Sequence, residues 1–291
     1  MKFDLYADVK SFYRDTYELL MRHEAQNVIL LGNVVIGNTG LDKTGWRDPA
    51  NWFMAAVQDG GRIMLTALMT PPYNVTLYAT DNRIEEDALA CLVHGMEDSS
   101  VSVPGVMAEK TLAERFAETY AGIRGVKYSA EKNLRLYALT KVNPGIAPDI
   151  TNGSLRLTRE SDMAFLPYWL EGFNRDCFGA SLLVKPDAAY YQYEIDSKKV
   201  YVLEDRGTPV SIAKISRELQ SLCCISYVYT PPYFRRKGYA SSCVAALSQV
   251  CLERGFTKCL LYTDLANPIS NSIYQKIGYV PINDFSDIKF V

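Results

Sequence analysis

Apolar positions recur at two spacings along this chain, and the switches between them outline its elements. Between Asp4 and His23, the residues Leu5, Val9, Phe12, Tyr13, Tyr17 and Leu20 fall at helical spacing, which predicts an amphipathic opening helix. The runs Trp52 to Val57 and Arg62 to Leu68 flank Asp59-Gly60-Gly61 and predict a hairpin, followed by a strand over Val75 to Tyr78. Helical spacing returns over Glu85 to Met96 and over Met107 to Tyr120, where Leu112, Phe116 and Tyr120 recur every four residues; Leu134 to Val142 reads as strand.

A cluster of breakers, Asn143-Pro144-Gly145-Ile146-Ala147-Pro148-Asp149, then interrupts the pattern and predicts a boundary between domains 1–150 and 151–291. Beyond it the pattern restarts. Glu160 to Phe173 carries Phe165, Leu166, Trp169, Leu170 and Phe173 on one helical side. Lys199 to Leu203 and Pro209 to Ile215 form a second hairpin around Asp205-Arg206-Gly207, and the strand Leu222 to Thr230 follows. The element order of the two halves is similar. The echo of Thr70-Pro71-Pro72 in Thr230-Pro231-Pro232 is out of phase: it follows the second hairpin strand in one half and the next strand along in the other.

Composition narrows the function classes. A hydrophobic share of 48% and a charged share of 22% are those of an ordinary globular protein. The formal net charge is −2 and no long Lys/Arg block is present, which argues against a general nucleic-acid binder. Arg235-Arg236-Lys237 is therefore read as a local site and not as part of a global field. The seven cysteines are odd in number and lack CxxC spacing, so no metal is expected; several lie in apolar runs, which fits a reducing, cytoplasmic setting. The apolar stretch Val28 to Ile36 is broken by Asn33 and is too short for a membrane span, which takes about 20 residues.

The chemistry concentrates where a β-rich run, Ile225 to Thr230, ends in Pro231-Pro232 and a helix begins after Arg235-Arg236-Lys237-Gly238. From Ala240 to Arg254, the residues Val244, Leu247, Val250 and Cys251 hold helical spacing, and Gly255 stands where a helix terminates. Arg235 to Ala240 thus lies at a helix N-terminus, where unpartnered N–H groups and the positive end of the helix dipole suit a pyrophosphate. Gly238 and Ala240 allow close backbone approach, and Arg235 and Lys237 supply charge.

The pattern Arg-x-x-Gly-x-Ala at Arg235 to Ala240, followed by the strand Cys259 to Thr263 and by Asn267-x-x-Ser270-x-x-x-Tyr274-x-x-x-Gly278-Tyr279, resembles the GNAT (GCN5-related N-acetyltransferase) superfamily. The resemblance covers about the last 140 residues and implies an α/β fold, a mixed and mostly antiparallel twisted sheet flanked by helices. The similar order of the first half extends this to two tandem GNAT-like domains, the first without the cofactor motif. Acetyl-CoA is the implied cofactor. Its pantetheine would lie against Val228, Tyr229 and Thr230, and its pyrophosphate against Arg235, Arg236, Lys237, Gly238, Tyr239, Ala240 and Ser241. Arg236 departs from the family, which often has glycine there.

By the same resemblance Tyr274 protonates the leaving thiolate; by its apolar neighbours Ile273 and Ile277 it packs a short helix. Asn267 and Asn271 either contact coenzyme A or cap that helix. No histidine occurs in the second half, and Glu171, Asp176, Glu204 and Glu218 are scattered, so no general base is assigned. Cys223 and Cys224 lack a histidine to activate them. Direct transfer of acetyl to an amine acceptor is the expected reaction, a longer acyl donor is a variant of it, and a CoA-binding sensor or interaction module is the alternative.

Overall fold

A computed structural model describes residues 1–40, 48–81, 85–146, 153–179 and 186–291. Residues 147–149 of the breaker cluster, and the division at 150/151, lie outside the described residues. By contacts the chain forms two compact units: Met1–Leu136 with Asp264–Ala266 and Asn283–Val291, and Tyr137–Thr263 with Asn267–Ile282.

The first unit opens with β1 (Lys2–Leu5), not with helix: these residues pair antiparallel with β2 (Phe53–Asp59). The opening helix α1 is Val9–Met21, started by Asp8, whose carboxylate accepts from the Ser11 N–H. A four-residue edge strand leaves too short a period-2 signature to compete with the helical pattern beyond it. The apolar stretch becomes helix α2 (Val28–Thr39), buried chiefly in its first half. Next come β3 (Arg62–Met69), β4 (Val75–Ala79), α3 (Glu86–Asp98), β5 (Gly105–Glu109), α4 (Lys110–Arg124) and β6 (Tyr128–Leu139), whose residues from Tyr137 onward belong to the second unit. Met107 to Glu109, expected as helix, are strand: the turn into α4 is set by Glu109, whose side chain accepts from Leu112 N–H. The unit is completed by the part of the C-terminal strand β12 (Val280–Phe290) from Asn283 onward, which pairs with β5 from Phe285 to Lys289.

In the second unit a 3₁₀ turn (Glu160–Ala164) precedes α5 (Leu166–Phe178), and helix α6 (Ala188–Asp196), which the apolar pattern does not predict, follows. The sheet is β7 (Gly153–Leu157), β8 (Val200–Asp205), β9 (Thr208–Glu218), β10 (Leu222–Tyr229) and β11 (Lys258–Asp264), with α7 (Tyr239–Glu253) linking the last two and α8 (Pro268–Ile277) after them.

The two units repeat one topology. In the first, β1·β2, β2·β3 and β3·β4 are antiparallel and β4·β5 is parallel across α3. In the second, β7·β8, β8·β9 and β9·β10 are antiparallel and β10·β11 is parallel across α7. The hairpin turns at Asp59-Gly60-Gly61 and Asp205-Arg206-Gly207 are equivalent in this scheme, and the two Thr-Pro-Pro segments are not. In the second unit the sheet is covered on both faces: Cys243, Val244, Leu247 and Cys251 of α7 pack on one cluster, and Leu166, Leu170, Tyr191 and Ile195 of α5 and α6 on another.

Candidate functional site

Pairing between β10 and β11 is confined to Leu222–Cys224 against Lys258–Leu260. From Ile225 onward β10 stays on β9 alone, and there it bulges: Ser226 pairs with Lys214 and Tyr229 with Ile212, so one extra residue is accommodated on β10. Tyr227, inside the bulge, has φ of 53°, a left-handed conformation rare for an aromatic residue. Its ring packs on Phe173 at 4.7 Å, with the Lys214 ammonium 5.4 Å from its centroid. Sequence periodicity carries no signal for this bulge, because Leu222 to Thr230 reads as one uninterrupted β-rich run.

The end of β10 is fixed by side chains. Buried Ser211 donates to the Tyr229 carbonyl at 3.1 Å, and its oxygen lies 2.9 Å from that of Thr230. Arg235 Nε donates to the Thr230 carbonyl at 2.8 Å, and its Nη2 reaches Asp176 Oδ2 at 2.5 Å, with the guanidinium 5.6 Å from the Tyr229 ring. Arg235 therefore clamps the turn to β10 and α5. Arg236 and Lys237 are exposed; Lys237 Nζ stands 5.1 Å from the centroid of exposed Tyr233.

Two left-handed residues shape the turn, Arg236 with φ of 63° and Gly238 with φ of 82°. This backbone favours glycine, and Arg236 adopts it at a cost of order 1 kcal/mol. Gly238 is the N-cap of α7, which has no side-chain cap, and a Cβ built there meets nothing within 4 Å. The first intrahelical bond runs from Ser242 N–H to the Gly238 carbonyl at 3.0 Å, leaving the N–H groups of Tyr239, Ala240 and Ser241 ahead of it. Tyr239 also donates its phenol to Asp205 Oδ2 at 2.5 Å, pinning the helix start to the β8–β9 turn, and this bond raises its pKa. These open donors beside two exposed cations form a cradle that fits a phosphate group.

The equivalent helix of the first unit is built oppositely. α3 begins after Glu85 with Glu86 and Asp87 in its first turn, which occupy the positive end of the dipole with fixed negative charge. A cavity of about 540 Å³ does lie in that unit, lined by residues such as Ser102, Tyr120, Arg124 and Phe290, but no residue of the candidate site borders it.

At the other side of the site, Asn267 caps α8 by accepting from Ser270 N–H at 3.1 Å. Asn271 donates to the Asn267 carbonyl at 2.7 Å and accepts from the Tyr137 phenol at 3.0 Å. Tyr274 is 9% exposed, packs edge-on against Tyr279 at 6.0 Å, and has its pKa raised by burial and then by nearby Cys177 and Cys243. The four scattered carboxylates all hold partners: Glu171 accepts from Tyr191, Asp176 from Arg235, Glu204 from Arg156 and Glu218 from Arg254. Cys223 and Cys224 are buried, and burial pushes the Cys224 thiol up, away from nucleophilic thiolate. No helix among the described residues is long and apolar enough to cross a membrane.

Comparison with known proteins agrees with this geometry. Residues 167–279 match the family model described as Acetyltransferase (GNAT) family. No curated protein matches. Among solved structures, a Drosophila protein superposes with TM-score 0.69 at 12% identity, covering 99% of this chain and 98% of its own. A GCN5-related N-acetyltransferase from Sphaerobacter thermophilus gives 0.64 at 14%, covering 99% and 95%. A tandem GNAT protein from the clavulanic acid biosynthesis pathway gives 0.58 at 13%, covering 100% and 98%. At such identities the likeness is one of fold, and it spans both units.

Proposed function

From the GNAT domain at residues 167–279, we propose that the second unit is an N-acyltransferase that moves acetyl from acetyl-CoA to an amine. The observation that carries this reading is the junction at which β10 parts from its parallel neighbour after Cys224 and runs into an uncapped helix start behind Arg236-Lys237-Gly238. The N–H groups of Tyr239, Ala240 and Ser241 bind the pyrophosphate, with Arg236 and Lys237 supplying charge; Arg235 acts indirectly, by holding the turn. Pantetheine lies along Val228 to Thr230.

The bound thioester supplies an electrophilic carbonyl carbon; as the amine nitrogen bonds to it, the carbon–sulfur bond breaks and the electron pair leaves on sulfur. Tyr274 gives that sulfur its proton, and solvent receives the proton lost by the amine. A phenol is already fully protonated at neutral pH and so has a proton to give; burial raises its pKa, which keeps that proton in place and makes the group a weaker acid. Asn267 and Asn271 position α8, and Tyr274 with it. The first unit, with acids at its equivalent helix start, takes no coenzyme A and serves as a GNAT-like companion to the second. The setting is cytoplasmic.

Thiol release from acetyl-CoA across a panel of amines tests this directly. Release dependent on one amine class supports the reaction. Coenzyme A bound without release leaves a sensor or interaction module, a reading favoured by the partners already held by all four carboxylates. Absence of coenzyme A binding overturns both.

A further inference from the structure

Three cysteines far apart in sequence converge inside the second unit. Cys223 on β10 and Cys259 on β11 are register neighbours in the parallel pair, so both side chains project to the same face, and Cys251 comes down on them from α7. The three Sγ atoms all lie within 4.8 Å of one another, and each residue is 0% exposed. Cys223 Sγ stands 3.8 Å from Cys259 Sγ. The sequence shows no CxxC signal because the ligands come from two strands and a helix.

The geometry points to a site for a single thiophilic d¹⁰ cation, copper(I) or zinc, held by Cys223, Cys251 and Cys259. With metal–sulfur bonds of about 2.3 Å, two thiolates on one ion are about 3.8 Å apart in tetrahedral and about 4.0 Å apart in trigonal geometry. The Cys223–Cys259 separation already meets this. Soft thiolate sets select copper(I) and zinc over the hard divalent ions. Among the described residues no His, Asp or Glu joins the three sulfurs, and a set of three without a fourth donor suits three-coordinate copper(I) best. Coordination deprotonates the thiols, which release their protons to solvent. Around the sulfurs stand the Ser248 carbonyl, 3.5 Å from Cys259 Sγ, and the Ser248–Tyr279 hydroxyl pair at 2.8 Å. Full burial means the ion is taken up as the chain folds and is thereafter shielded from chelators.

The site is separate from the proposed acyl-transfer chemistry, and its test does not depend on activity. The full chain carrying Cys177→Ser, which removes an exposed thiol, is refolded under reducing, oxygen-free conditions with copper(I) in one arm and zinc in another. Excess metal is removed, and bound metal is counted by mass spectrometry alongside the melting temperature and the ultraviolet thiolate-to-copper band. One equivalent per chain, with a raised melting temperature, is expected in at least one arm, and the arm that fills identifies the ion. Cys251→Ala and Cys251→Ser should each lose the bound metal at least tenfold while Cys91→Ser keeps it. Less than about a tenth of an equivalent in both arms overturns the proposal and leaves a packed cluster of thiols. Equal uptake by the Cys251 variants overturns it too, and if those variants do not fold, the metal count on the Cys177→Ser chain decides alone.

Discussion

Tyr274 is at once a residue of the second unit's core and the proposed proton donor. Its ring is part of the second unit's core, yet Tyr274→Phe retains the ring and removes only the hydroxyl. For a packing role alone the cost is one hydrogen bond at most, about 1 kcal/mol. For a proton donor, turnover should fall by about 10²- to 10⁴-fold with coenzyme A affinity and melting temperature near wild type. Acyl-transfer kinetics beside thermal melting distinguishes the two, and unchanged turnover would remove the acid role. The pH dependence has a fixed sign. Burial raises this phenol above the ordinary value of about 10, so its proton is retained in folded and unfolded chain alike at neutral pH. Stability from the buried phenol is complete below pH about 10 and is lost as pH climbs toward the folded-state pKa, so alkaline and not acidic solution should weaken it. Gly238 makes a second case. A Cβ at this position meets no protein atom within 4 Å, but Gly238→Val forces a β-branched residue to φ of 82°. A destabilisation of about 1–3 kcal/mol is expected, together with loss of coenzyme A binding by calorimetry at a temperature where the variant is folded. On the proposed function the first unit takes none, so wild type should bind one equivalent per chain and the variant none; wild-type affinity in Gly238→Val would defeat the phosphate-cradle assignment.

At the scale of elements, the strand–turn–helix unit was legible because glycine, prolines and basic residues mark it at fixed offsets. The features that shape the site around it were not. The bulge at Tyr227 leaves a β-rich run unbroken, and the parting of β10 from β11 depends on a neighbour more than thirty positions away. Likewise Arg235 was legible as a cation but not as a clamp, because its partners Asp176 and the Thr230 carbonyl are brought to it by packing. The edge strand β1 and the strand β12 escaped for a simpler reason: the first is four residues long, and Pro281 and Asp284 interrupt the apolar pattern of the second. Gly172 exposes a dependence between elements that no periodicity reveals. A Cβ there would lie 2.4 Å from the Tyr229 hydroxyl oxygen, so α5 sits against the end of β10 only because this position is bare. Gly172→Ala should forgo the helix-propensity gain of about 1 kcal/mol and instead destabilise by about 1–3 kcal/mol through overpacking. Coenzyme A affinity should weaken with it, as Tyr229 is displaced; denaturant melting and calorimetry measure both, and a stabilised variant would contradict the contact.

At the scale of the molecule, one topology appears twice, with opposite charge at the helix start where the second copy would hold a phosphate. A further consequence concerns the end of the chain, because Asn283–Val291 belong to the first unit although they follow the second in sequence. Phe285 and Ile288 of β12 are buried, and Phe285–Lys289 pair with β5. Asp284 accepts a two-pronged bond from Arg135 at 2.7 and 2.8 Å, and Asp287 accepts from Asn74 at 2.5 Å. Gly105 is bare where a Cβ would stand 2.2 Å from the Ile288 carbonyl, so β5 is shaped to receive this strand. Burial of two large apolar side chains contributes about 1.5–3 kcal/mol each, before the lost ladder and the stranded edge of β5 are counted. The total is comparable with the whole stability of a domain, about 5–15 kcal/mol. Ending the chain after Ile282 should therefore unfold the first unit or leave it barely stable. Hydrogen exchange should show protection lost at β5 and α4, and the thermal transition should fall steeply or split. The arrangement would be refuted by native protection of β5 in the truncated chain, because an unpaired β5 edge exchanges freely with water.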